Sequence, residues 1–481
     1  MMETAGDSAA WRRLRLLCVA AGIGSAILFI VAGLSAQLQM FGDGSIFSYA
    51  VAAQDAWAFH WHNISGRLFS YVYAYIPAET VVALMGNARV GIATYGLLFF
   101  SAPLLGLLAA FAADRSKNRA IFVTACLSTA CLCPLVYGAP TEMWMAQALF
   151  WPALALCLYA PQGWRGTALV FAALLALVFT HEGAVVFAAV IVLAVFLRGW
   201  RKPAFRRAAL AFIAVMAIWL IIKLTIRPDD YIAAVLGAAA YRFIDIGNLT
   251  DPAFVLLMAA LAIYDIALIM CRRIASRSAY VCAVVFCALL LAVYWVWFDR
   301  SLLAEARYNL RTVLLIATPA FGLAAAIHAT DDETRRKVPF LQRIAAAVER
   351  AVNPRLIAGA LALTLLVHTV ETAKFIWTWT DYKSALSALA TSNASDPALG
   401  DPQFVSSKRI DASLNRMAWN STTPFLSVLV APGLAPARLV VDPDAGYFWL
   451  SCQTATQSEK TSSAIPSESR RLIRLHACLH R

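Results

Sequence analysis

Four short clusters hold the residues whose types and spacing suit chemistry. The first is Phe41-Gly42-Asp43-Gly44-Ser45. Its two glycines let the backbone turn tightly and leave a carboxylate exposed, which suits a general base or a metal-binding acid. The bland alternative is a turn aspartate that caps the next helix. The second cluster holds Asp55, His60, His62 and Arg67. His60 and His62 are two residues apart, so on a helix they diverge and make a poor metal pair, and they read as interfacial anchors. Arg67, set among aromatic residues, suits a phosphate. The third is Thr180-His181-Glu182-Gly183, a His–Glu pair between two apolar runs with virtually no loop. Glu142, beside Gly138-Ala139-Pro140-Thr141, lies at a similar depth. These three residues suit metal ligation or substrate contact, against a paired structural role. The fourth runs from Asp299-Arg300 through Glu305, Arg307, Tyr308 and Arg311. Arg307 and Arg311 are spaced i,i+4, so on one helix face two guanidinium groups can grip one phosphate; the rival reading is snorkelling to lipid headgroups.

The elements that must position these clusters are apolar runs. Of 481 residues, 61% are apolar and 14% charged, against nearer half and a quarter in a soluble domain. The mean hydropathy is +0.68. Such composition in long runs excludes a soluble enzyme, a secreted scaffold and a disordered chain, and it predicts spans across about 30 Å of hydrocarbon. Eleven spans are expected, near 15–37, 89–111, 119–137, 141–160, 166–181, 183–198, 208–226, 253–271, 279–298, 309–327 and 355–377. The fifth and sixth read either as a tight hairpin or as one re-entrant element. The fold class is therefore an all-α polytopic transmembrane helix bundle of about eleven spans over residues 1–377. A small extracytoplasmic α/β domain is expected at 378–481.

The net charge of +12 does not point to nucleic acid. The basic residues sit in short clusters between apolar runs, where topology explains them. One set of loops has Arg12, Arg13 and Arg15, then Arg115, Lys117 and Arg119, then Arg198, Arg201, Lys202, Arg206 and Arg207, with more near 272–277 and 335–355. The opposite set has far fewer, so the amino terminus is expected in the cytoplasm and the tail outside. The four clusters then share the outer side. Arginine outnumbers lysine 32 to 8, which together with abundant alanine suggests a GC-rich bacterium and hence its inner membrane.

Two outer segments are too long to be connectors. Residues 38–88, rich in Trp, Tyr, Phe and His, read as amphipathic helices along the membrane surface. The tail begins with a helical stretch near 381–391, and β-like runs follow at Phe425–Val430, Arg438–Val441 and Tyr447–Cys452. Of ten cysteines, Cys452 and Cys478 alone lie in a polar segment. In an oxidising compartment they are expected to form a disulfide closing a loop of about 25 residues, worth about 3 kcal/mol.

This pattern resembles the GT-C superfamily of polytopic glycosyltransferases. Asp43 matches the acidic residue that these enzymes carry just after the first span, and 44–88 matches their amphipathic first external loop. The number of spans and the external tail match their layout. Many members carry paired acids such as DxD or ExD, whereas Gly44 and Ser45 follow Asp43 here. The resemblance implies transfer of a sugar from a polyprenyl-phosphate donor to an envelope lipid or glycan, with Asp43 as general base. It makes no cofactor certain and allows a divalent metal. Membrane lipids are the implied surroundings. Arg307 and Arg311 are candidates to neutralise the leaving phosphate, and Arg67, Glu142, His181, Glu182, Glu305 and Tyr308 to contact substrate. The main alternative is a transporter or flippase of a lipid-linked or anionic solute.

Overall fold

Apolar backbone that meets no water must close its hydrogen bonds within its own segment, and a helix does so. The computed structural model of the chain describes residues 5–54, 56, 67–132, 141–226, 252–272, 278–299, 311–329, 353–392, 404–419 and 422–442. It is an all-α helical bundle with one small sheet. Helices α1 (Ala5–Ala36), α2 (Asp43–Ala52), α3 (Leu68–Met85), α4 (Ala88–Ala113), α5 (Ala120–Leu132) and α6 (Met143–Tyr159) come first. Next are α7 (Trp164–Val178), α8 (Ala184–Arg198), α9 (Pro203–Thr225), α10 (Pro252–Arg272), α11 (Ala279–Phe298) and α12 (Arg311–His328). Last are α13 (Pro354–Thr391) and α14 (Thr423–Val430).

Among the described residues seven helices are long and apolar enough to cross a membrane: α1, α3, α4, α9, α10, α11 and α13. Six fall on expected runs, and α3 is the addition. Helices α7 and α8 have 15 residues each, about 22 Å at 1.5 Å per residue. They are separate helices that pack on each other across the turn at 180–183. Large apolar side chains face outward on α9 and α11, with Leu224 72% and Val281 65% exposed. Such faces suit a lipid surround.

Small residues set the closest approaches. A Cβ on Gly106 of α4 would stand 2.5 Å from the Ala148 carbonyl oxygen of α6, and one on Gly22 of α1 would stand 2.5 Å from the Cys126 Cα of α5. Glycine at these points brings backbones together without steric cost, which is how helices associate in a medium as apolar as their side chains. Gly106→Ala is therefore expected to force α4 from α6 and cost about 1–3 kcal/mol. Gly24→Ala, with nothing within 4 Å of the added Cβ, should be neutral or slightly stabilising. Thermal midpoints of the two variants in one detergent check this, and equal midpoints would contradict it.

Helix α3 stands lengthwise against α4 and does not lie flat across the end of the bundle. The Tyr73 hydroxyl donates to the Leu98 carbonyl at 2.9 Å, and a Cβ on Gly91 would collide with Val82. Helix α13 runs unbroken for 38 residues, through the expected boundary at 377/378. Its Trp379 Nε1 (3.0 Å) and Lys383 Nζ (2.7 Å) both donate to the carbonyl of Ala36. That oxygen belongs to the last turn of α1, where helical carbonyls lack intrahelical donors.

The tail returns to this same end. Strand β1 (Phe404–Ser406) pairs in parallel with β2 (Leu439–Val441), with Val405 opposite Val440. Leu439–Val441 is thus a strand within an expected β-like run. Phe425–Val430 is not a strand: it lies in α14, with Pro424 in the first turn. A short, wholly apolar run carries no periodicity that separates a buried strand from a buried helix, and here the proline preset and packing on α2 decide. Arg89 Nη2 donates to the Ala431 carbonyl and Ser387 Oγ to that of Val430, both at 3.0 Å, so α14 is tied to α4 and α13. The run Tyr447–Cys452, and Cys452 and Cys478 with it, lie outside the described residues.

Candidate functional site

The centre of the site is a charged quartet drawn from four places in the sequence. Arg67, just before α3, donates through Nη1 to Glu142 Oε2 at 2.9 Å and through Nε to Glu182 Oε2 at 3.1 Å. Lys223, in the last turn of α9, reaches Glu182 Oε1 at 3.3 Å. The Glu142 side chain is 2% exposed, and those of Arg67, Lys223 and Glu182 are 15%, 18% and 20%. Backbone bonds lock the frame: Phe69 N donates to the Phe179 carbonyl, and Ser70 Oγ to that of Thr180. The start of α3 is thereby fixed to the turn that presents Glu182.

Two cations face two carboxylates, so the quartet is neutral. Burial pushes the Glu182 carboxyl up, but Arg67, then His181 and Lys223, outweigh it and hold the group well below its ordinary value of 4.5. A depressed carboxylate stabilises the fold fully above the unfolded value and loses that contribution as pH falls. The thermal midpoint is thus expected to drop as pH goes below about 4.5, and less steeply in Glu182→Gln, which starts lower at pH 7. Parallel slopes for the two proteins would contradict this.

His181, 8% exposed, accepts the Gly183 N–H on Nδ1 at 3.0 Å. A neutral ring in that bond holds its proton on Nε2. A Cβ on Gly183 would meet Leu315 of α12 at 3.0 Å, so the third cluster sits one helical turn from Arg311, the first residue of α12. Glu305, Arg307 and Tyr308 lie outside the described residues, as do Asp55, His60, His62 and the side chain of Arg311.

Asp43 occupies the first turn of α2, half-buried, preceded by Gly42 at φ +56° and ψ −132°. The cap position is Gly42, with no side-chain capping bond. A buried tyrosine pair, Tyr75 of α3 and Tyr95 of α4, lies near Asp43, Arg67 and Glu142. The Tyr95 hydroxyl lies within electrostatic range of both Asp43 and Glu142, and that of Tyr75 within range of Glu142 and Arg67. The two rings are 5.0 Å apart, and Phe47 of α2 stands 5.7 Å from Tyr75. Asp43, Arg67, Glu142, His181 and Glu182 therefore share one end of the bundle.

Asp299 takes another direction. It pairs with Lys374 of α13, which also contacts Glu371 at 3.4 Å, and Trp295 Nε1 donates to Glu371 Oε1 at 3.0 Å. Charge is therefore buried within an expected span, near its C-terminal end. Sequence reasoning passed over Lys223, Glu371, Lys374, Tyr75 and Tyr95. The usable signal was a lone lysine at the arginine-poor end of one run, and an acid and a lysine three residues apart inside another. Among the described residues no group of three or more His, Cys, Asp or Glu is placed to hold a metal ion.

No protein-family model matches the chain, and neither a curated protein nor a solved structure matches it.

Proposed function

We propose that the protein is an integral membrane glycosyltransferase that moves a sugar from a polyprenyl-phosphate carrier to a lipid or glycan acceptor of the cell envelope. The carrying observation is that α2, which begins at Asp43, packs through Phe47 on Tyr75 of α3, the helix whose preceding residue, Arg67, is paired with both Glu142 and Glu182. In this reading the site faces outward, the amino terminus is cytoplasmic, and the membrane is the inner membrane of a bacterium. Asp43 takes the proton of the acceptor hydroxyl while that oxygen bonds to the anomeric carbon. The bond from that carbon to the phosphate oxygen breaks, and its electron pair leaves with the carrier phosphate. Arg67 is already neutralised by Glu142 and Glu182, so its part is to hold the floor of the site. Arg307 and Arg311 are left as the cations for the leaving phosphate. Gly44 and Ser45 follow Asp43, so this turn lacks the DxD or ExD pairing of acids.

Purified protein in proteoliposomes, given a radiolabelled polyprenyl-phosphate sugar and envelope lipid, separates the main alternatives. Label moved to a new lipid or glycan supports transfer. Label that crosses the bilayer still on its carrier supports a flippase and overturns the proposal.

A further inference from the structure

At the ends of α6, α7, α8 and α9 remote from the charged quartet, two chain reversals stand side by side. Helix α6 gives way to α7 through Gly163 at φ +97°, and α8 to α9 through Gly199 at φ +143°. Arg207 of α9 joins the reversals. Its Nη1 and Nη2 donate to the carbonyls of Pro161 and Ala160, at 2.6 and 3.0 Å. Arg198, the last residue of α8, lays its guanidinium 4.5 Å from the centre of the Tyr159 ring. Two arginines thus converge on Tyr159, Ala160 and Pro161. The charge here is one-sided. Arg165, Arg198, Arg201, Lys202, Arg206 and Arg207 belong to these reversals, and from Met143 to Ile226 the chain has one acid, Glu182, at the other end. Topology accounts for basic residues that stand in water beyond a span. Arg198 and Arg207 differ, because Nη1 of the first and Nε of the second are buried and meet no acceptor among the described residues. A buried donor left in that state is costly, the more so when charged. The surface beside them is open. Trp164 and Trp200, 77% and 57% exposed, flank the reversals beneath Arg165 and Arg201, as indoles do at headgroup depth. Arg206, Leu210 and Ile213 are exposed and follow one face of α9, so a cation heads an apolar stripe.

We propose that this end of the bundle is a binding site for one anionic phospholipid. Arg198 and Arg207 hold the headgroup phosphate, Arg206 stands at the rim, and an acyl chain lies along Leu210 and Ile213. Arg207 spends two of its five N–H groups on carbonyls and keeps the rest. Guanidinium groups match phosphate oxygens in geometry as well as charge. The anion supplies both the missing acceptors and the missing negative charge. A free phosphate would use the arginines and leave the stripe without a role, whereas a lipid uses both. Basic pockets between spans take lipid headgroups in this way. The site requires only that α9 crosses the bilayer, and it is independent of the chemistry at Asp43.

The test uses the full chain in detergent, with bound lipid counted by native mass spectrometry. The probes are phosphatidylglycerol, phosphatidylcholine with the same acyl chains, and glycerol phosphate. Wild type should hold one phosphatidylglycerol about tenfold more tightly than phosphatidylcholine, given about fivefold for each basic residue at a headgroup. Arg198→Gln with Arg206→Gln should bring the two lipids within about twofold. Arg206→Gln alone, at an exposed position that folding tolerates, should lose about threefold. Arg115→Gln with Lys117→Gln, which removes two exposed cations from another loop, should leave the preference intact. A wild type without preference overturns the proposal, as do equal losses in the two double variants. Glycerol phosphate that displaces the lipid as well as phosphatidylglycerol does would make this a site for free phosphate, and also overturns it. Asp331, Asp332 and Glu333 are the chain's own rivals for the arginines. A preference that arises only after all three are changed to amides would show that the chain fills the site itself, and would overturn the proposal.

Discussion

Replacing Arg67 with alanine is expected to cost about 3–5 kcal/mol of stability at neutral pH, the range for breaking a buried ion pair from one side. The size follows from what the arginine leaves behind. Glu142 is 2% exposed, and Arg67 is the cation shown paired with it, whereas Glu182 still has Lys223. Glu142 would have to stay ionised in a medium that opposes charge, or take up a proton against neutral solution. Lysine should rescue poorly, because one ammonium cannot span two carboxylates in the forked manner of the guanidinium through Nη1 and Nε. The double variant Arg67→Ala, Glu142→Gln should recover much of the loss, since an amide is tolerated where an unpaired carboxylate is not. Thermal unfolding in a fixed detergent measures all four proteins. A loss below about 1 kcal/mol for the single variant, as at an exposed pair, would show that the quartet does not hold the site together.

The helices were legible in the sequence because long apolar runs admit little else in hydrocarbon. Each expected span coincides with a helix, from α1 to α13. What the runs could not show was their mutual arrangement. Residues 38–88 and the tail read as two separate outer segments, yet Arg89, Ser45 and Ser387 tie the described parts of both to one another and to α13. Glu142 and Glu182 were visible singly as acids at the ends of apolar runs. That Arg67 bridges them depends on α3 starting against the α7–α8 turn, a contact across more than a hundred residues that no local pattern encodes. Phe425–Val430 reads as a strand yet folds as a helix, because six apolar residues fit a strand and a buried helix equally well.

The larger expected effect on activity belongs to Asp43. Gly42 takes a positive φ, α2 begins, and Asp43 sits half-buried in the helix's first turn. An ionised acid within reach of an acceptor hydroxyl is a competent base, and such bases contribute about 10² to 10⁴ in rate. Asparagine preserves the shape and most of the hydrogen bonding but has no charge with which to take the proton. The cap position is Gly42 and Asp43 makes no capping bond there, so the isosteric change should alter folding little. The most direct measurement is transfer of label from a polyprenyl-phosphate sugar, per folded molecule, by wild type and Asp43→Asn purified side by side. Folding is checked by size-exclusion behaviour and thermal midpoint. Transfer reduced at least about a hundredfold in a variant with an unchanged midpoint is the predicted result, and a well-folded Asp43→Asn protein with near-normal transfer would contradict the account.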